Sequence, residues 1–206
     1  VVDMGTGTGA NLPLLREAVG PTGRVIGIDV SQGMLSRARN RVDRHGWENV
    51  ALVRADIRNP PLDGPVDGIL SSFVVLMYPD ADRLIDEWAR HVESGAIANL
   101  YAAPSSRSYA PIVNTLLRAY VSVFDDGWNP TAREDWNPTQ VDGPIGTAGE
   151  TWDSKQGAAE GNDPPGSFER MAARGERARE ALERYSNRFT RTRAAFGLVA
   201  IDVGHR

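Results

Sequence analysis

The chain has no cysteine, which excludes a disulfide framework, a thiol nucleophile and a thiolate metal site. Histidine occurs three times, so imidazole chemistry has few places to reside. Lysine is almost missing: Lys155 stands alone among 23 basic residues. We read that bias as genome composition in preference to a phosphate-binding role for the arginines. No stretch reaches the roughly 18 apolar residues of a membrane span, and no signal-peptide pattern appears. These absences predict a soluble, cytoplasmic protein without stable membrane insertion. The net charge is −4 with no basic run, which argues against a nucleic-acid partner. At 206 residues the chain suffices for one sizeable α/β domain with an insertion.

What is present is concentrated at the start. Val1-Val2-Asp3-Met4-Gly5-Thr6-Gly7-Thr8-Gly9 reads as a strand end, an acid and a glycine loop. Glycines tolerate positive φ and carry no side chain, so backbone can approach a nucleotide-like ligand. A second acid, Asp29, closes the strand Arg24–Asp29, where a carboxylate can take the two ribose hydroxyls of a nucleoside. A third, Asp56, follows the apolar run Val50–Ala55. Gly5-x-Gly7-x-x-Ala10 with Asp29 also satisfies the dinucleotide fingerprint, which leaves an NAD(P)-dependent oxidoreductase as an alternative. Against it, carboxylates crowding the loop repel a pyrophosphate, whereas a sulfonium carrying an ammonium group tolerates or favours them.

Asp3-x-Gly5-x-Gly7-x-Gly9, Asp29 and Ala55-Asp56 resemble the three cofactor motifs of class I S-adenosylmethionine-dependent methyltransferases. Gly20–Ser31, Met34-Leu35-x-x-Ala38 and Val66–Phe73 resemble the subgroup that includes quinone-biosynthesis C-methyltransferases. The likeness covers roughly the first half of the chain and a fragment at its end. It implies S-adenosyl-L-methionine as cofactor and a small-molecule methyl acceptor, hydrophobic or aromatic, as partner. The implied fold is a Rossmann-like, doubly wound, mostly parallel sheet. By resemblance, Gly5, Thr6 and Gly7 pass the methionine part of the cofactor, with Asp3 and Gly9 completing the motif. Asp29 binds the ribose, Val30 and Met34 flank the adenine, and Asp56 accepts from its amino group beside Ala55 and Ile57. Ser72 and Phe73 line the methionine side and the acceptor entrance. Met77, Tyr101 and Tyr109 are candidates for acceptor contact. Met34 is equally readable as plain core, and Asp56 as the opening of the Asn59-Pro60-Pro61 turn. A third reading, a non-catalytic cofactor-binding domain, also stays open.

The pattern strand–helix–strand repeats through residue 100 or so, which predicts right-handed crossovers with helices on both faces. Three parts are expected: a cofactor-binding core at 1–103, an irregular insertion or lid at 104–166, and 167–206 completing the core. The insertion holds Trp-Asn-Pro-Thr twice, together with Tyr120, Asp125 and Asp126 as candidate roof residues. Phe168, Met171, Ala178, Leu182, Tyr185 and Phe189 mark one long amphipathic helix. Residues 195–203 are expected to be a sixth and last strand. The seventh strand usual in the family is then missing, as is the helix that usually precedes the first strand. His45 and His91 fall at the amino ends of strands, and His205 on the carboxyl side at the sheet edge. No catalytic residue and no metal ligand is assigned.

Overall fold

The computed structural model describes residues 1–103, 167–194 and 199–206. The first strand, β1 (Val2–Met4), is wholly buried. Then follow α1 (Leu12–Val19), β2 (Val25–Asp29), α2 (Gln32–His45), β3 (Val50–Arg54) and β4 (Gly68–Ser72). A single 3-10 turn at Val75–Met77 leads to α3 (Ala81–Ala89) and β5 (Ala96–Ala102). After the insertion come α4 (Ser167–Tyr185), β6 (Arg188–Ala194) and β7 (Val199–His205).

Local chemistry sets most of these boundaries. Pro13 sits in the first turn of α1, where a missing N–H costs nothing. Ser31 caps α2 by accepting the Met34 N–H, and Gly46 ends it in the left-handed conformation. On α3, Leu84, Ile85 and Trp88 recur at helical spacing and are completely buried against the sheet. Full burial is worth about 1.5–3 kcal/mol for each of the two aliphatic chains.

The seven strands form one sheet in the order β3-β2-β1-β4-β5-β7-β6. Strands β1 to β5 are parallel, and β7 runs antiparallel to both β5 and β6. Core packs on both faces. Val2, Met4, Ile28, Ile69 and Ile97 meet α3 and the Ala178, Ala181 and Leu182 face of α4. Leu12, Val25, Val42 and Val50 fill the space under α1 and α2. Among the described residues no helix is long and apolar enough to cross a membrane.

The expected absence of a seventh strand is overturned. Residues 199–205 are not a sixth strand at an incomplete edge but a seventh, inserted between β5 and β6. The strand that the sequence reading missed is β6, whose residues are mostly exposed. The amphipathic helix stops at Tyr185, and Phe189, four residues on, belongs to that strand. The antiparallel direction of β7 also moves His205. It pairs with Ala96, at the amino end of β5, and not on the carboxyl side. The insertion at 104–166, with Tyr109, Tyr120, Asp125, Asp126 and both Trp-Asn-Pro-Thr copies, lies outside the described residues.

Candidate functional site

The parallel strands deliver their following loops to one edge of the sheet, and the strand order reverses between β1 and β4. Ligands of open α/β sheets bind beyond the carboxyl ends at such a reversal. The glycine loop after β1 occupies this position. It is tied to β2 because the Gly5 and Thr6 N–H groups both donate to the Ile28 carbonyl, each at 2.9 Å.

Asp3 is fully buried under the loop. Its carboxylate accepts from the Thr6 hydroxyl at 2.7 Å and from the Asn11 amide at 3.1 Å. Burial pushes the Asp3 carboxyl above its ordinary value; the two hydrogen bonds oppose that rise, and the Asp29 charge adds to it. Asn11 precedes α1 but makes no side-chain cap, since its amide is turned to Asp3.

Asp29 closes the loop from the β2 side. One carboxylate oxygen accepts the Gly7 N–H at 2.8 Å and the other the Ser31 N–H, also at 2.8 Å. Burial raises this carboxyl as well, and the hydrogen bonds from Ser31 and Gly7 lower it. Gly5, Gly7 and Gly9 all take positive φ, at 73°, 55° and 76°. Only Gly7 presents an open face. A Cβ there meets nothing nearer than the Gly5 carbonyl at 4.0 Å, whereas at Gly5 it would strike Val74 at 2.9 Å and at Gly9 Leu12 at 2.7 Å.

The third acid is less free. One oxygen of Asp56 accepts the Arg58 N–H at 2.9 Å, and the other takes Arg58 Nε at 2.9 Å and Nη2 at 2.5 Å. The Arg58 guanidinium lies 5.9 Å above the Tyr78 ring. Ala55 joins β3 to β2 through its N–H and the Asp29 carbonyl at 3.1 Å. Val30, half-buried, accepts Arg54 Nε through its carbonyl at 3.1 Å. Ile57 is buried in the core, and its carbonyl accepts the Trp88 indole N–H at 2.7 Å.

On the β4 side, Ser72 is half-buried and Phe73 is 51% exposed with a φ of 61°. A left-handed aromatic residue is a costly backbone state, of order 1–3 kcal/mol. The Phe73 N–H donates to the Leu100 carbonyl at 2.8 Å, which anchors the turn. Met77 and Met34 are also exposed. Tyr101 is not: it is buried, donates to Asp202 at 2.7 Å and accepts from Arg191. Arg191 also donates to the Asp202 carboxylate at 2.7 Å, so Tyr101 serves a buried network joining β5, β6 and β7. Sequence reasoning missed the roles of Asn11, Arg58 and Arg191 and the hydrogen bond of Trp88 to Ile57. The Asp56-x-Arg58 spacing was a legible signal; the other contacts join distant segments.

Residues 1–95 match the methyltransferase domain family. Across 96 residues the chain is 35% identical to an arsenite methyltransferase of Halobacterium salinarum, covering 46% of this chain and 25% of that protein. Across 129 residues it is 36% identical to a phosphatidylethanolamine N-methyltransferase of Cereibacter sphaeroides, covering 56% of this chain and 61% of that one. The chain thus spans only part of the length of these curated relatives. The crystal structure of a SAM-dependent methyltransferase from Aquifex aeolicus matches the fold with a TM-score of 0.60 at 20% identity. That match covers 98% of this chain and 79% of the other.

Proposed function

We propose that this methyltransferase-domain protein transfers a methyl group from S-adenosyl-L-methionine to a small hydrophobic or aromatic molecule in the cytoplasm. The carrying observation is the Asp29 clamp beside the open Gly7. Each Asp29 oxygen uses one lone pair on a backbone N–H and keeps capacity for a ribose hydroxyl. The absence of a Cβ at Gly7 leaves room for the ligand beside it. Two carboxyl groups buried at this edge favour a cofactor that carries positive charge. Asp56 retains less capacity, chiefly on the oxygen that accepts only the Arg58 N–H, and that oxygen is our candidate acceptor for the adenine amino group. Ile57 then supports the loop from the core and Val30 and Met34 border the adenine.

When bound, the cofactor supplies a methyl group already activated by its sulfonium. The chain's task is to hold the acceptor in line and keep water out. None of the three histidines lies on the carboxyl edge, so we assign no imidazole base. The exposed Phe73 and Met77 beside the β1/β4 reversal support an apolar or aromatic acceptor. The two named relatives act on chemically different acceptors, and we take neither acceptor over. The test is transfer of an isotope-labelled methyl group to a panel of phenols, quinones and amines, read by mass spectrometry. Labelled product from an apolar aromatic acceptor is the expected result. Cofactor binding with no transfer to any member of the panel would favour the non-catalytic reading.

A further inference from the structure

Several arginines of this protein answer to carboxylates. Arg58 pairs with Asp56, Arg179 with Glu176 and Glu183, Arg184 with Asp86, and Arg191 with Asp202. Arg37, Arg41 and Arg44 do not: among the described residues none has an ion pair or side-chain hydrogen bond. They lie four and three residues apart on α2, which places them on one side of that helix. With Thr8 of the glycine loop and His45 they line a groove of about 370 Å³. It is open to solvent: Arg37, Arg44 and His45 are exposed, and Thr8 and Arg41 half-buried. No carboxylate lines it, although the chain as a whole carries a net charge of −4.

We propose that this groove binds a linear oligophosphate. Arg44 and His45 lie in the last turn of α2, where a cation is favoured by the helix dipole alone. Arg37 and Arg41 have no such reason to be there. The three arginines span roughly 10 Å along the helix at 1.5 Å per residue. Such a span exceeds a single phosphate and suits a chain of them. Arginine forks are matched to phosphate oxygens, and the Thr8 hydroxyl adds a further donor. His45 is held at the end of the groove by stacking on Trp47, with ring centroids 4.9 Å apart and planes 14° from parallel. Arg16 in turn lies 5.0 Å from the centre of the Trp47 ring. Neither Asp3 nor Asp29 lines the groove, so their repulsion of a phosphate at the neighbouring cofactor position does not act here directly. Composition gives these arginines no phosphate role; their shared face, lack of partners and concave setting do.

The experiment is calorimetric titration of the full chain with inorganic tripolyphosphate, pyrophosphate and orthophosphate at physiological salt. We expect saturable binding whose affinity rises with phosphate number. An Arg37→Gln/Arg41→Gln double variant should bind tripolyphosphate at least about tenfold more weakly, since charge-assisted contacts are lost. Arg184→Gln, on a different helix and paired to Asp86, should bind as the wild type does. Circular dichroism confirms that each variant is folded. Absence of saturable tripolyphosphate binding would overturn the proposal. So would equal affinity in the double variant, an equal loss in Arg184→Gln, or equal affinity for orthophosphate. Association with anionic lipid vesicles but not with tripolyphosphate would also overturn it, in favour of a membrane surface.

Discussion

Gly5→Ala and Gly7→Ala look alike in sequence, yet the structure separates them. Both positions have positive φ, so an added Cβ costs roughly 1–2 kcal/mol at either through crowding with the following carbonyl. At Gly5 the new methyl also lies 2.9 Å from three carbons of Val74, and overpacking of that kind adds about 1–3 kcal/mol. Gly5→Ala should therefore lose about 2–5 kcal/mol of stability and Gly7→Ala only about 1–2. Ligand binding should respond differently. The alanine methyl at position 7 points into open space, which we propose the cofactor fills, while the Gly7 N–H to Asp29 bond can persist. Urea unfolding gives the stabilities, and titration with S-adenosylhomocysteine gives the affinities under folded conditions. Gly7→Ala should lose less stability than Gly5→Ala but bind at least about tenfold more weakly, as loss of a close approach worth about 1.4 kcal/mol implies. Equal destabilisation of the two variants, or undiminished binding by Gly7→Ala, would refute the assignment of Gly7 as the ligand-facing glycine.

Three further outcomes follow from named contacts. Asp3 has a folded-state pKa above its unfolded value of 3.8, so the folded chain holds that proton more tightly. Its effect on stability is therefore unfavourable as pH rises from 3.8 through the raised value, and constant above it. Asp3→Asn should remove that decline, so that the stability of wild type minus variant falls across this window in urea unfolding. A difference independent of pH would contradict the burial argument. Trp88→Phe leaves the buried Ile57 carbonyl without its indole donor and should cost about 1–3 kcal/mol in the same assay. Arg191→Met leaves the Asp202 carboxylate buried with only Tyr101 donating from the network, and should cost about 3 kcal/mol. A loss below 1 kcal/mol would mean that the network contributes little to holding β6 and β7 on the sheet.

The first five strands and their crossover helices were legible because their apolar runs and caps are local signals. Val25–Asp29 and the Ser31 cap illustrate this, as does the Leu84/Ile85/Trp88 face. The strand β6 was not. Its sequence Arg188-Phe-Thr-Arg-Thr-Arg-Ala is that of a charged edge strand, and charge on an edge discourages pairing with other chains. Phe189 falls four residues after Tyr185, so the helical period runs on past the helix end, although Ser186-Asn187 and the alternating threonines were available as a turn and a strand signal. Missing β6 is what made β7 look like the sixth strand and put His205 on the wrong side. In the candidate site, Asp3, Asp29 and the glycines could be read from spacing alone. That Asn11 turns to Asp3 depends on rotamers and loop path, which spacing does not encode; the Asp56-x-Arg58 pair is local, and its spacing was a signal passed over.

The central claim, that the Asp29 clamp holds a nucleoside of S-adenosylmethionine type, is tested most directly by calorimetry. The full chain and its Asp29→Ala variant are titrated with S-adenosylhomocysteine and, in parallel, with NAD and NADH. The account predicts saturable binding of S-adenosylhomocysteine alone, weakened by roughly 1–3 kcal/mol in a variant that remains folded. Binding of NAD or NADH instead, or S-adenosylhomocysteine affinity unchanged by loss of the Asp29 carboxylate, would contradict it.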